Sequence, residues 1–338
     1  LLVFSASILR YWTINCRRWR LDKGARLMGA VGFQEAEWIW RDGEFVHWED
    51  ANLHLLSTAV QFGTSVFEGV RAYETDKGPA LFRLNAHIRR LMDSAKIYRM
   101  VPDHPVDLIK AACLDTVRKN ELTNGYIRPM VLRGYGSPGI NPFGSPIETF
   151  IAAWPWGTYL GEEALKNGVD VCVSSWQRAL PNTYPSRAKA GGHYLSAQLM
   201  KMEAVENGYG DAIALGPDGL VSEGSGMNIF LVRDGVIISP FLDGTSLAGI
   251  TRDAVITMAR DLGYDVREQH IPRESLYTAD ELFFTGTATE VTPIRSVDGI
   301  HVGEGKAGPV SLELQAHFWE TVKGANDDPH GWLTYVND

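Results

Sequence analysis

Residues 185–194 read PSRAKAGGHY and place one lysine, Lys189, among small side chains directly before a predicted helix. A lysine that approaches the aldehyde of another molecule needs neighbours that leave space, and the alanines and glycines on both sides of Lys189 would do so. A lysine amine has an ordinary pKa of about 10.4 and is a good nucleophile at neutral pH only when it is desolvated or close to another cation. We therefore predict a Schiff-base lysine, although a solvated lysine in a Gly-rich loop has the same local sequence.

Short strands and helices alternate on both sides of this stretch, as the spacing of apolar and turn residues indicates. The pattern predicts a small mixed α/β domain over 37–153 and a larger second domain over 165–338. Residues 154–161 read WPWGTYLG, and aromatic residues among Pro and Gly are typical of an ordered linker, assigned here to 154–164. Residues 1–36 are interpreted as an extension, either disordered or a start-site artefact, because the basic beginning of the chain lacks the amphipathic period of a transit peptide.

The composition disfavours several classes of protein. The chain has 338 residues and a net charge of −9, and the part after residue 27 carries 26 basic and 40 acidic residues, a poor surface for nucleic acid or anionic membranes. No apolar run reaches the roughly 18 residues of a membrane span. The three cysteines are far apart, which favours reduced thiols in the cytoplasm, and the nine histidines lack the spacing of a metal site.

The stretch 246–253, SLAGITRD, is a turn of small residues that leads into a predicted helix with Thr251 at its N-cap. Free backbone N–H groups and the positive end of the helix dipole make such a turn a potential phosphate site. Any capped helix shares this pattern, so the motif by itself leaves a purely structural role open.

Two further motifs carry groups that could bind other parts of a cofactor or an anion. Residues 221–228, VSEGSGMN, hold Glu223 between two predicted strands, and a carboxylate there could keep a pyridinium nitrogen protonated. Residues 285–290, TGTATE, offer backbone amides and the Thr287 hydroxyl to an anion. A surface bulge with a solvated Glu and an internally satisfied Ser/Thr turn are the structural alternatives.

Together with the lysine stretch, these motifs stand in the order and at the intervals of a known family. The sequence resembles the branched-chain aminotransferases of the fold type IV class of pyridoxal-phosphate enzymes, over residues 38–337. Six motifs carry the resemblance, namely FEGVRAY (67–73), YIRP (126–129), AKAGGHY (188–194), SEGSGMN (222–228), GITRD (249–253) and GTATEVTP (286–293).

The resemblance implies a two-domain α/β (α+β) protein of fold type IV. A protein of this type is expected to have a smaller N-terminal mixed α/β domain and a larger C-terminal pyridoxal-phosphate domain with a β-barrel-like sheet core. It also implies pyridoxal 5'-phosphate as cofactor and transfer of an amino group between L-leucine, L-isoleucine or L-valine and 2-oxoglutarate. The expected partners are therefore small amino acids and 2-oxo acids, and a homo-oligomer based on a dimer is expected.

The family's cofactor-binding residues can be carried over by position. Lys189 matches the lysine that binds the cofactor aldehyde and moves a proton between the substrate α carbon and the cofactor's C4' atom. Tyr194 matches the partner of the phenolic oxygen, and Glu223 matches the partner of the ring nitrogen. The remaining matches, to the phosphate-binding groups and to a side chain packed against the ring, are Arg90, the backbone amides of Ile250 and Thr251, the Thr287 hydroxyl, and Leu247.

The substrate-binding residues follow in the same way. Tyr126 and the backbone amides of Thr287 and Ala288 match the site for the α-carboxylate. Arg128 matches the arginine that receives the second carboxylate of glutamate, and we expect it at the rim of the pocket because a buried, unpaired arginine would be costly. The matches to the apolar side-chain pocket are Phe67, Trp156, Tyr159 and Tyr194.

Some positions depart from the common family pattern and leave questions open. Phe62 stands where many relatives have tyrosine, Ala248 where proline is frequent, and His193 where asparagine is frequent. In this family the segment around Phe62 and the loop at 136–141 can reach the site of a neighbouring subunit. A D-amino-acid aminotransferase or an aminodeoxychorismate lyase would share the lysine and the acid, and a non-catalytic binding protein is the alternative from another class.

Overall fold

The computed structural model describes residues 34–157, 159–326 and 328–337, so most of the predicted extension lies outside the described residues. The strands are β1 Trp38–Arg41, β2 Glu44–His47, β3 Ser65–Phe67, β4 Val70–Thr75, β5 Gly78–Phe82, β6 Gly125–Arg133, β7 Ile147–Pro155, β8 Val169–Val173, β9 Asp211–Leu215, β10 Val221–Gly224, β11 Asn228–Arg233, β12 Val236–Ser239, β13 Val266–Glu268, β14 Glu281–Gly286, β15 Glu290–Val297, β16 Ile300–His301 and β17 Leu333–Tyr335. The helices are α1 Thr58–Phe62, α2 Leu84–Ile97, α3 Val106–Lys119, α4 Glu162–Asn167, α5 Tyr194–Glu206, α6 Ile250–Asp261, α7 Ser275–Thr278 and α8 Pro309–Val322.

The first sheet is antiparallel and has the order β17-β5-β4-β6-β7-β1-β2, with β3 also paired to β6. Helices α2 and α3 belong to its apolar core, because their buried residues recur at helical spacing. Leu84, Ile88 and Leu91 form this stripe on α2, and Ile109 and Val117 lie on α3. The C-terminal strand β17 returns to this sheet beside β5.

Strands β3 and β4 lie end to end along β6 and are interrupted at Glu68 and Gly69. Pro129 in β6 lies opposite this break, where its carbonyl accepts a hydrogen bond from the Glu68 N–H at 2.8 Å but its own nitrogen has no hydrogen to donate. A Cβ atom at position 69 would lie 1.7 Å from the hydroxyl oxygen of Tyr126. The break therefore frees Glu68 from the regular ladder and makes space for the Tyr126 side chain.

The second sheet is a curved, half-barrel-like mixed sheet with the order β10-β9-β8-β15-β14-β11-β12-β13, and β16 pairs with β15. Its central strands β11 and β14 are buried along almost their whole length, which explains their continuous apolar sequences. Successive side chains belong to two different apolar clusters, with Phe284 in one and Phe283 in the other. The cluster around Phe283 also contains residues of α6 and α8.

The division into domains at 37–153 and 165–338 stays a prediction. Among the residues that the structure describes, no helix is both long and apolar enough to cross a membrane.

Candidate active site

A cavity of about 570 Å³ brings together residues from both sheets and from the loops between them. Every residue predicted at the cofactor or substrate site, from Phe67 to Ala288, lines this cavity. Their positions in the sequence are far apart, so it is the fold that assembles them. The role of each residue stays a prediction that this arrangement supports.

Lys189 presents its amine to the cavity from a loop whose backbone is held on both sides. The Lys189 N–H donates to the Ser94 hydroxyl at 3.0 Å, and its carbonyl accepts from the Phe67 N–H at 3.0 Å. A 3-10 turn at Gly191–His193 leads into α5, whose first residue, Tyr194, places its hydroxyl oxygen 2.5 Å from the amine nitrogen. The pair can therefore share a proton at the cavity wall.

The small residues around this lysine have a packing role that the sequence did not indicate. Ala188 and Ala190 are buried, and Ala190 forms a bridge with Val66 of β3. A Cβ atom at Gly191 would lie 2.4 Å from the hydroxyl oxygen of Ser65. Small side chains are thus needed for the loop to lie against the first sheet, whereas the sequence suggested that they leave space for a ligand.

Glu223 lines another part of the cavity, where it is 9% exposed. The Arg178 Nε atom lies 3.1 Å from its Oε1 atom, and the Leu247 N–H donates to Oε2 at 3.1 Å. Burial raises the pKa of Glu223, while the Arg178 charge and the Leu247 amide oppose this increase. Sequence reasoning missed Arg178, because nothing in the local sequence marks it as the partner of a residue 45 positions away.

The turn predicted to bind phosphate leads into a helix, but the prediction of Thr251 as its N-cap is wrong. Helix α6 begins at Ile250 with Gly249 as N-cap, so Thr251 lies in the first turn instead of at the N-cap. The first turn has no side-chain cap, which leaves its backbone N–H groups without that partner. A Cβ atom at Gly249 would lie 1.8 Å from the side-chain oxygen of Asn228, so any larger residue there would require Asn228 to move.

Arg90 reaches the same region from α2 and is held by a buried acid. Its Nε and Nη2 atoms donate to the two carboxylate oxygens of Glu68 at 2.6 and 2.8 Å, and Nη1 donates to the Ala248 carbonyl at 2.7 Å. The His87 Nδ1 atom lies 2.7 Å from Glu68. Burial would raise the pKa of Glu68, but Arg90 and His87 outweigh burial and hold it well below its usual range. Glu68 lies in the FEGVRAY motif, but sequence reasoning gave it no role.

Arg128 lies among three aromatic rings in the wall of the cavity. Its guanidinium carbon is 4.6 Å from the ring centre of Phe67, 5.3 Å from Tyr126 and 5.7 Å from Trp154. Its Nε atom is buried and has no hydrogen-bond partner. Within the described residues, no carboxylate lies at ion-pair distance from Arg128, which is half-buried in the cavity wall. The rings stabilise the cation while its hydrogen-bond donors stay available.

The turn that carries Thr287 and Ala288 ends at a second buried acid. Glu290 has a φ of 57° and accepts a hydrogen bond from the Tyr73 hydroxyl at 3.0 Å, across 217 residues of sequence. The Arg71 Nη1 atom lies 3.5 Å from the same Glu290 oxygen. Burial raises the pKa of Glu290, and both partners oppose that increase. This cluster ties the turn of the second sheet to β4 of the first.

The residues present fit pyridoxal phosphate in kind and in place. Arginine and the uncapped first turn of α6 suit a phosphate group. The amine and the tyrosine hydroxyl suit an aldehyde beside a phenolic oxygen, and the buried acid suits a protonated ring nitrogen. Among the described residues, no group of His, Cys, Asp or Glu could hold a metal ion.

Comparisons with known proteins agree with this chemistry. The class IV amino-transferase family matches residues 65–297. The branched-chain-amino-acid aminotransferase of Escherichia coli K12 is 52% identical over 305 residues, which cover 90% of this chain and 99% of the relative. A crystal structure of the Escherichia coli branched-chain amino acid aminotransferase aligns with a TM-score of 0.88 at 52% identity, over 90% of this chain and 100% of that chain. A T.th. branched-chain amino acid aminotransferase complexed with N-(5'-phosphopyridoxyl)-L-glutamate aligns with a TM-score of 0.86 at 45% identity, over 90% and 99%.

These similarities confirm the expected fold type IV architecture and the pyridoxal-phosphate cofactor. They also decide between the alternatives that the sequence left open, in favour of branched-chain amino acids. The chain therefore belongs to the class IV aminotransferase family and is a pyridoxal-phosphate-dependent branched-chain-amino-acid aminotransferase.

Proposed function

We propose that this aminotransferase uses 2-oxoglutarate as its amino acceptor and that Arg128 binds the second carboxylate of that substrate. The supporting observation is the position of Arg128, which lies among aromatic rings with no carboxylate at ion-pair distance in the described structure. A cation in such a place can accept an anionic substrate without first breaking an internal ion pair. The glutamate adduct named for the T.th. enzyme supports the same substrate class.

The same pocket must also accept aliphatic side chains, and the rings around Arg128 make this possible. When leucine is bound, the guanidinium keeps its contacts with the rings of Phe67 and Tyr126. One methylene more or less in an apolar pocket changes binding by only about 1–3 kcal/mol. Leucine, isoleucine and valine should therefore be separated poorly, whereas glutamate is selected by its charge.

The other residues then have the following roles. Bound pyridoxal phosphate supplies an aldehyde that takes up the amino group and a ring that withdraws electrons from the carbon losing its proton. Lys189 holds and moves that proton, and the Tyr194 hydroxyl stabilises the charge on the amine. Glu223 holds a proton at the ring nitrogen, while Arg90 binds the phosphate together with the first turn of α6.

The substrate α-carboxylate is assigned to a site shared by both half-reactions. This assignment is supported by the break at Gly69, which makes space for the Tyr126 side chain, and by Glu290, which holds the turn with Thr287 and Ala288. Because every amino acid and 2-oxo acid substrate has this carboxylate, changes here should affect all substrates alike. Changes at Arg128 should affect only the dicarboxylic ones.

The test of this proposal is Arg128→Gln, with KM measured for 2-oxoglutarate and for leucine. Loss of a charge-assisted hydrogen-bond pair, worth about 1.5–3 kcal/mol, should raise the KM for 2-oxoglutarate about 10- to 150-fold. The KM for leucine should change little. Arg187→Gln is the matched control, because Arg187 is exposed and, among the described residues, its side chain bonds only to the Leu242 carbonyl, at 3.3 Å. Equal losses for both substrates would contradict the assigned role.

We further propose that the enzyme acts as a homo-oligomer that uses the surface around α1. Large apolar side chains are exposed there and on the loop between β6 and β7, with Leu55 at 74%, Phe62 at 51%, Ile140 at 91% and Phe143 at 67%. Covering such side chains with a second copy would remove them from water. Sedimentation velocity of the wild type and of Ile140→Asp tests the oligomeric state, since the introduced charge should favour the monomer.

The cytoplasmic location stays a prediction.

A further inference from the structure

One face of α2 connects Arg90, the residue assigned to the phosphate, with Lys189, the residue that carries the amine. Arg90, Ser94 and Tyr98 are spaced by four residues at the end of this helix and therefore follow one face. Arg90 lines the cavity, and the Tyr98 hydroxyl bonds to the His193 Nε2 atom at 2.8 Å. Ser94 lies between them, directly against the backbone of Lys189.

The Ser94 hydroxyl uses both its donor and its acceptor capacity. It donates to the Arg90 carbonyl at 2.8 Å and accepts from the Lys189 N–H at 3.0 Å. A serine inside a helix commonly bonds only to the carbonyl four residues earlier. Here one hydroxyl joins the backbones of two residues that are 99 positions apart, and it does so at a fully buried position.

The loop before Lys189 needs such a contact, because residues 174–190 form neither a helix nor a strand. The carbonyl of Lys189 is fixed by β3, and its N–H is fixed by Ser94. Without the hydroxyl, the Lys189 N–H would lose its partner, and the Lys189 backbone would be held through its carbonyl alone. The amine would then be less restricted in position relative to Arg90.

We propose that Ser94 is a positioning residue that sets the place of the Lys189 amine relative to the phosphate-binding Arg90. This inference rests on the proposed roles of these two residues. A group bound by its phosphate would then present its aldehyde to the amine at the correct distance. A displacement of about 1 Å at a reacting group can cost on the order of 100-fold in rate.

The test uses the cofactor-free protein and two probes. Pyridoxal 5'-phosphate reports capture of the aldehyde by Lys189, followed through its absorbance and by borohydride reduction. 4-Deoxypyridoxine 5'-phosphate has the ring and the phosphate without the aldehyde, so it reports binding alone. In Ser94→Ala, capture should be about 10- to 100-fold slower, while binding of the deoxy probe stays as in the wild type. Ser94→Cys, which keeps a weak donor and acceptor, should restore part of the rate.

Ser311→Ala is the matched control, because Ser311 is also fully buried and donates to a backbone carbonyl three residues earlier, at 2.9 Å. It should lower thermal stability about as much as Ser94→Ala without slowing capture. The inference is overturned if Ser94→Ala captures the aldehyde at the wild-type rate, or if binding of both probes weakens equally. If the wild type itself fails to capture the aldehyde on Lys189, the proposed role of the lysine fails and this inference fails with it.

Discussion

Replacing Arg178 with Gln should weaken catalysis through the charge on Glu223. Arg178 lies 3.1 Å from that carboxylate and also donates to the carbonyls of Gly224 and Ser225 at 2.6 and 2.8 Å. Burial already raises the pKa of Glu223, and Arg178 makes the largest opposing contribution. Without the cation, more of the acid is neutral at pH 7, and a neutral acid cannot balance a proton on a ring nitrogen.

The magnitude follows from the type of contact that is lost. Arg178 Nε and the Glu223 carboxylate form a close ion pair without hydrogen-bond geometry. Close charge pairs of this kind have coupling energies of about 1.5–7 kcal/mol, and about 1.4 kcal/mol corresponds to a tenfold change. Glu223 is 9% exposed, so water screens this contact only weakly. We therefore expect kcat at pH 7 to fall by at least about 10-fold in Arg178→Gln.

The assay is kcat for leucine and 2-oxoglutarate as a function of pH. Because the acid in Arg178→Gln ionises at higher pH than in the wild type, the rising limb of the profile should move to higher pH, with partial recovery of kcat there. Arg178→Lys keeps the positive charge and should keep a profile close to that of the wild type. A variant that loses thermal stability but retains the wild-type pH profile would refute the electrostatic role.

Two further predictions concern the first sheet. Glu68→Gln leaves the buried partner Arg90 without its counter-ion and should lower the free energy of unfolding by about 3–5 kcal/mol in urea titrations at pH 7. Since the folded pKa of Glu68 lies below the ordinary 4.5, the contribution of Glu68 to the free energy of unfolding is present above pH 4.5 and is lost on acidification. In Glu68→Gln, the free energy of unfolding should therefore fall less steeply at acidic pH than in the wild type. An unchanged slope would contradict this. Gly69→Ala brings a Cβ atom to 1.7 Å from the Tyr126 hydroxyl oxygen and should therefore raise the KM for amino acids and 2-oxo acids alike. The control is Gly139→Ala, whose Cβ atom would meet no atom within 4 Å and should leave KM unchanged. An increase in KM for dicarboxylic substrates alone would contradict the shared carboxylate site.

Local patterns were sufficient to name candidate chemical groups for the site, and the role of each group stays a prediction. Lys189, Glu223 and the phosphate turn each lie in a short motif whose residue types indicate their chemistry, and α5 begins at Tyr194, the first helical residue after the lysine loop. Such motifs are readable because backbone conformation and small neighbours depend on adjacent residues. The same reasoning placed Thr251 at a cap, whereas α6 begins one residue earlier, after Gly249.

Contacts between residues that are far apart in the sequence could be found only in the tertiary structure. The sequence by itself determined the family to which the chain belongs, and it indicated the alternation of strands and helices and the candidate lysine and acid. Only the tertiary structure showed that Arg178 pairs with Glu223, that Glu68 holds Arg90, and that small residues beside the lysine fit against β3. The physical reason is that a buried charge is tolerable only beside its partner, and the partner can come from any part of the chain that the fold brings within hydrogen-bond distance.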